Sequence, residues 1–430
     1  MSHSVKPKGR SRESILTTGL GTVGAQSKHP FFKMLAHPMA DYYMVCIATG
    51  CLVVLGILMV ASASSVWSSA VNGDSYYYLV RQLIFLALGL PAAWILSRLA
   101  PKLIAFLGWV GLCGSILLLI LIFSPLGVDN FGNRAWLSLS AIGIGVQIQP
   151  SEFAKVCLIV WSASVFANRT RTLAEPRRML FPFLIGFGLV ELLVVLEHDM
   201  GTAMVIGLIM LAMLWHIGAP VRLLMVICLS GLAVVAISIF TSDRRKERIL
   251  SFFNPDAASG ASDQPLNAIY ALASGGWWGL GLGHSRQKWG GLYNGAQTDY
   301  VLAVLGEEMG LVGTLIVLVL FFSLAFAGCR IASRSSDRFL RYASAGITSW
   351  IVLQALINIF VVMRFLPVVG VPLPFLSQGG SALLANLLGI GVLLAAARNE
   401  PDAQDYLAAG KMKVRPRMTT IVDAPRREGD

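Results

Sequence analysis

Asp299 sits where two kinds of sequence meet. Upstream is a polar, Gly-rich and aromatic stretch, SGGWWGLGLGHSRQKWGGLYNGAQT (274–298); downstream an apolar run begins at Tyr300. A carboxylate placed there can cap the coming helix, satisfying free amides and the positive end of its dipole. It can equally act as a general base toward a hydroxyl at the mouth of a bundle. Two turns on, inside the apolar run, come Glu307 and Glu308. A pair of acids at that depth needs a wet interior or a basic partner.

Three further stretches carry groups that could act with Asp299. In NRAWLSLSAIGIGVQIQPSEFAK (133–155), Arg134 and Trp136 fall in a segment of strand-like alternation, which reads as a small hairpin. Pro150 and Ser151 then open a helix with Glu152 and Lys155 one turn apart on one face. That pair is either an ion pair at a helix entrance or, with Arg134, part of a phosphate site. In LEHDMGTA (196–203), Asp199 can cap a restarting helix at Thr202 or line the same cavity. In FLPVVGVPLPFLSQGGSALLANLLGIG (365–391), prolines break the chain, and Ser377, Gly379, Gly380 and Ser381 open the next helix. Successive amides at such a start can form an anion-binding nest.

The elements that must hold these groups are membrane helices. Of the 430 residues, 56% are hydrophobic and only 13% charged, about half the charged share of a soluble domain. The net charge of +11 sits mostly in the tails and short loops, which argues against a nucleic-acid partner. Continuous apolar runs predict an all-α membrane protein of about ten transmembrane helices: 43–62, 80–97, 103–123, 151–167, 180–197, 202–217, 221–241, 300–328, 342–363 and 380–397. Most of the 34 Lys and Arg fall inside if both termini are cytoplasmic, leaving a large extracytoplasmic loop, 242–299, between helices 7 and 8. Residues 1–40 read as a disordered, retained basic tail, 41–398 as the membrane domain and 399–430 as a second cytoplasmic tail. Within the long loop, 243–265 reads as mobile, and the apolar stretch from Leu266 to Leu280 as a re-entrant or interfacial helix. Trp277, Trp278 and Trp289 suit the membrane interface. The six cysteines lie in or beside apolar segments without metal spacing and read as small apolar side chains.

Taken in this order, these stretches closely resemble the SEDS family (shape, elongation, division and sporulation) of bacterial peptidoglycan polymerases. The resemblance covers roughly 41–398. It rests on SAS (62–64), NRAW (133–136), QPSEFAK (149–155), DMGT (199–202), GLGHSRQKW (281–289), TDYVLAVLGEEMG (298–310) and PLPFLSQGGSA (372–382). It is strongest to the cell-division members, with the elongation members next.

The resemblance implies a glycosyltransferase that polymerises lipid II at the outer membrane face of the septum, with Asp299 as catalytic residue. It implies that Arg134, Lys155 and Lys288 hold the leaving pyrophosphate, with Trp136, Gln297, Ser377, Gly379, Gly380 and Ser381 also on the substrate. Glu152, Asp199, Thr202, Glu307 and Glu308 would support them. It leaves room for a divalent cation, magnesium or manganese, at Asp299, Glu152 or Asp199. The expected partners are a class B penicillin-binding transpeptidase and other division proteins. Where the family usually has Leu-Pro-Glu-Ala-His before its Thr-Asp, this chain reads Tyr293-Asn294-Gly295-Ala296-Gln297. Two other readings stand beside the enzyme: a lipid II transporter, and a non-catalytic scaffold of the division machinery.

Overall fold

The computed structural model describes residues 37–130, 133–138, 147–168, 176–253, 263–292 and 295–414. Ten apolar helices form the bundle. They are α1 (Ala40–Asn72), α2 (Tyr77–Leu96), α3 (Pro101–Leu121), α4 (Pro150–Asn168), α5 (Pro176–Leu196), α6 (Met200–His216), α7 (Val221–Phe240), α10 (Val301–Arg334), α11 (Arg338–Val362) and α12 (Gly380–Arg398). Eight are long and apolar enough to cross a membrane, and α6 with the apolar part of α5 (Leu180–Leu196) supplies the two shorter ones. These ten coincide with the ten runs of the sequence. Of the expected tails, residues 1–36 and 415–430 lie outside the described residues, and α13 (Pro401–Val414) begins the C-terminal one.

Burial sorts the helices. α4 and α12 are 83% buried over their apolar windows and form the centre, whereas α7 is 6% buried and lies at the periphery. Lipid offers no hydrophobic drive between helices, so close packing depends on small residues. Gly391 of α12 lies against the Ala93 backbone of α2, and Gly108 of α3 against Val160 and Trp161 of α4. α1 runs beside α10 in the opposite direction. Asp41 at its start meets Arg330 (3.2 Å) and Arg334 (3.5 Å) near the α10 C-terminus. Ser62, two-thirds along α1, reaches Glu308 near the α10 N-terminus (2.6 Å).

α10 breaks at Gly310, whose backbone has φ 67° and ψ −165°. The loop 276–281 fills the break with its own backbone. Leu311 and Val312 amides donate to the Gly276 (2.9 Å) and Trp277 (3.2 Å) carbonyls; Leu280 and Gly281 amides donate to Glu307 (2.9 Å) and Glu308 (3.0 Å). Irregular backbone at that depth is tolerable where freed groups find partners, as these four do. A Cβ at Gly310 would run into the Gly279 amide nitrogen and the Trp277 carbonyl, on a left-handed φ. Gly310→Ala is therefore expected to abolish recovery of folded, monodisperse protein from membranes, read by size-exclusion chromatography in detergent. Wild-type yield from that variant would contradict this account of the break.

Outside the bundle lie a small sheet and two helices. β1 (Gly127–Asn130), β2 (Asn133–Ser138) and β3 (Gln147–Ile148) pair antiparallel in that order, with Val128 opposite Trp136 and Leu137 opposite Ile148. The expected hairpin thus gains a third strand. Of the segment 243–265, expected to be mobile, the charged part is helix α8 (Asp243–Phe253), and residues 254–262 lie outside the described residues. The six charged residues of α8, Asp243–Arg248, come first and Ile249, Leu250, Phe252 and Phe253 follow, so charge is gathered in its first half. The apolar stretch after Leu266 does form a helix, α9 (Asp263–Ser274), but it ends before the Gly-Gly pair. Glycines at φ 54°, 79° and 97° (Gly276, Gly279, Gly281) turn the chain into the α10 break instead. Trp277, Trp278 and Trp289 are 68%, 81% and 69% exposed, as interface anchors would be.

Candidate active site

Asp299 is held by its backbone. Asn358, on α11, donates from Nδ2 to the Asp299 carbonyl (2.8 Å) and to the Val371 carbonyl (2.8 Å). Ser377 Oγ donates to the Thr298 carbonyl (2.6 Å), and the Gln378 amide to the Gln297 carbonyl (2.8 Å). The Gln297–Asp299 turn and the 371–378 loop are therefore laced together, with α11 behind both. The α10 N-cap position is Tyr300, and no side chain caps it. The Asp299 carboxylate is thus not spent on its helix, which the sequence had left open.

Its electrostatic setting suits a base. Burial pushes the Asp299 carboxyl up to about 6; Arg248 of α8 draws it down and the Asp199 carboxylate pushes it up. The same burial, with the charge of Asp299, raises the neighbouring Tyr300 phenol. A carboxylate near 6 is ionised at neutral pH and more basic than an ordinary aspartate. Arg248 is exposed on α8 and close enough to act on both groups.

Asp199 caps α6, accepting from the Thr202 amide (3.1 Å) and the Thr202 hydroxyl (2.7 Å). His198, at φ 65°, turns the chain into that cap. Gln149 links Asp199 to the nest. Its Nε2 donates to Asp199 (2.9 Å) and its amide donates to Ser381 Oγ (3.1 Å). The Gly379 amide donates to Gln82 Oε1 on α2 (3.2 Å), and Gly380 packs on Phe85. The Ser377–Ser381 turn therefore has three amides engaged by the protein itself: Ser377 on the Leu373 carbonyl (3.0 Å), Gln378 on the Gln297 carbonyl and Gly379 on Gln82.

Arg134 joins this group through its backbone, its amide donating to the Glu197 carbonyl (3.1 Å), while its guanidinium donates to the Ser124 carbonyl (2.7 Å). Trp136 is half-buried in β2. Glu197 itself is fully buried with neither carboxyl oxygen paired. Burial first, and the Asp199 charge second, push it up to about 8. A carboxyl raised above its unfolded value stabilises the fold below that value, and the contribution fades as pH rises through about 8. Glu197→Gln should remove this dependence: its melting temperature should change less between pH 5 and pH 9 than that of the wild type. Parallel pH curves would contradict the assignment.

The two candidate lysines are placed otherwise. Lys155 is 1% exposed; its Nζ meets Glu152 Oε1 (2.8 Å) and Gln354 Oε1 (3.1 Å). Gln354 in turn accepts from Trp350 Nε1 (2.8 Å) and donates to the Pro372 carbonyl (3.0 Å). This network runs from α4 through α11 to the loop that holds Asp299. Lys288 is 3% exposed and meets Glu308 (3.0 Å), Ser62 (3.0 Å) and the Gly283 carbonyl (2.8 Å). Glu307 accepts from the Arg286 (3.0 Å) and Gln287 (3.3 Å) amides and from Ser285 Oγ. The two acids thus receive the 283–288 loop rather than facing a wet hollow.

The resemblance also left room for a divalent cation. Glu152 is matched by Lys155, and Asp199 already accepts from Thr202 and Gln149. Among the described residues no three His, Cys, Asp or Glu side chains are grouped as metal ligands. This donor set does not fit a protein-held divalent ion, and the chemistry below uses the chain's own groups.

The sequence reading passed over Gln149, Gln354, Asn358 and Arg248. Gln354 and Asn358 had a signal: two amides four residues apart inside an apolar run share one helical face and need buried partners.

The chain matches the FtsW/RodA/SpoVE family, described as cell cycle proteins, over residues 42–402. The chain belongs to that family. Among its relatives, the probable peptidoglycan glycosyltransferase FtsW of Mycobacterium tuberculosis is 35% identical over 393 residues, 90% of this chain and 73% of the relative. Stage V sporulation protein E of Bacillus subtilis is 34% identical over 363 residues, 83% of this chain and 96% of its own. Among solved structures, a chain from a peptidoglycan synthase complex that coordinates polymerisation and crosslinking superposes with a TM-score of 0.65 at 25% identity. It covers 83% of this chain and 97% of its own. RodA of Thermus thermophilus follows at a TM-score of 0.58 and 25% identity, covering 83% and 96%.

Proposed function

We propose that this family member is a peptidoglycan glycosyltransferase that polymerises lipid II at the outer face of the cytoplasmic membrane during division. The observation that carries the reading is Asp299: a carboxylate raised to about 6, uncommitted to helix capping and fixed through its backbone by Asn358. It takes the proton from the 4-hydroxyl of the acceptor GlcNAc. The freed oxygen pair forms a bond to the anomeric carbon of the lipid-linked MurNAc. The bond from that carbon to the pyrophosphate oxygen breaks, and its electrons leave with undecaprenyl pyrophosphate. Arg248, exposed beside Asp299, meets the developing charge. Lys155 and Lys288 act from behind, holding the loops in place through their buried pairs.

Both termini are cytoplasmic in this reading, which puts Asp299, Arg248 and the sheet outside. The relatives named FtsW favour a septal role. The likeness to a chain of a synthase complex favours a penicillin-binding transpeptidase as working partner. Purified protein given lipid II, alone and with the cognate transpeptidase, should form glycan strands in at least one condition. Movement of lipid II across sealed vesicles with no strand formed in either condition would give the reading to a transporter.

A further inference from the structure

A groove of about 810 Å³ opens on the lipid-facing surface between α1, α2 and α12. It lies toward the end of the bundle away from Asp299. Tyr42 and Cys46 line it at the start of α1, where Asp41 meets Arg330 and Arg334, while Asp299 precedes the other end of α10. No charged residue is among its lining residues.

Its length argues for one kind of occupant. At a rise of 1.5 Å per residue, Tyr42 to Ile57 covers roughly 22 Å and Leu86 to Ser97 roughly 16 Å. One leaflet's share of the hydrocarbon core is about 15 Å. A partner's transmembrane helix would need a track across both leaflets, whereas an acyl chain needs only one. The mouth is cationic. Trp94 lines the groove and carries the exposed Arg98 guanidinium 4.3 Å above its ring. Tyr42, also in the wall, has Arg398 as a side-chain partner. The nearby acids turn elsewhere: Asp41 is taken by Arg330 and Arg334, and Glu400 feels the same two guanidiniums.

We propose that this groove binds an acyl chain of an anionic phospholipid, with its phosphate between Arg98 and Arg398. The occupant would brace α2 and α12 against α1. Toward their other ends those two helices hold the Ser377–Ser381 turn, through Gln82 on the Gly379 amide and the α12 start at Gly380.

The test uses the full chain in lipid-free detergent, with phosphatidylglycerol or phosphatidylcholine of identical chains, read by native mass spectrometry and melting temperature. Phosphatidylglycerol should be retained and raise the melting temperature; phosphatidylcholine should do neither. Arg98→Gln with Arg398→Gln should weaken retention by about tenfold or more. Gly50 borders the groove with no atom within 4 Å of a built Cβ, so Gly50→Leu should block binding without disturbing the fold, and Gly50→Ala should leave it intact. Equal retention of the two lipids, or phosphatidylglycerol binding unchanged in both the double variant and Gly50→Leu, overturns the proposal. So does a dimer of the wild type that Gly50→Leu dissociates, which would make a second copy the occupant.

Discussion

Asp299→Asn is expected to slow lipid II polymerisation by about 10²–10⁴-fold, the usual contribution of a positioned general base. Asparagine keeps the shape of the side chain and is as good a helix cap as aspartate, but it cannot accept the proton. The backbone bonds from Asn358 and Ser377 to residues 299 and 298 do not involve the carboxylate. Melting temperature should therefore move little while strand synthesis falls. A measured rate within about threefold of wild type, well below the loss expected of a base, would confine Asp299 to a structural part.

The second large effect concerns stability. Lys155→Met should destabilise the protein by about 3–5 kcal/mol, because it strands the Glu152 carboxylate in a buried place with no counter-charge. Glu152 is 1% exposed and its second oxygen already lacks a partner. Adding Glu152→Gln to Lys155→Met removes the stranded charge and should recover much of the lost stability. The pair also separates two roles for Lys155. If the lysine acts only by holding Gln354, and through it the Pro372 loop, the double variant regains activity along with its melting temperature. Stability regained without activity would return Lys155 to the pyrophosphate, against the placement described here.

The bundle was legible because lipid leaves the sequence few options. Ten apolar runs had to be ten helices, since each must satisfy its own backbone in hydrocarbon. Asp299 was legible for the same reason: a carboxylate at the edge of an apolar run is costly without a purpose. The partners of the charged groups were not. Glu307 and Glu308 called for a wet interior or a basic partner; Glu308 has the partner in Lys288, but that both acids receive the 283–288 loop is a pairing across sequence that spacing does not encode. Arg248 was hidden in a charged stretch whose composition resembles disorder; only folding into α8 sets it beside Asp299. Lys155 and Glu152, one turn apart, offered two readings, and the structure buries the two as an ion pair.

The central claim is that the Asp299 carboxylate takes the proton, and the pH dependence of polymerisation tests it most directly. Burial raises this group to about 6 and the Arg248 charge holds it from rising further. The rate should therefore fall on the acid side with a midpoint near 6. Arg248→Gln should move that midpoint to higher pH, costing more activity at pH 6 than at pH 8. A rate that stays level from pH 5 to pH 8, or an acid limb that Arg248→Gln leaves in place, would contradict the account.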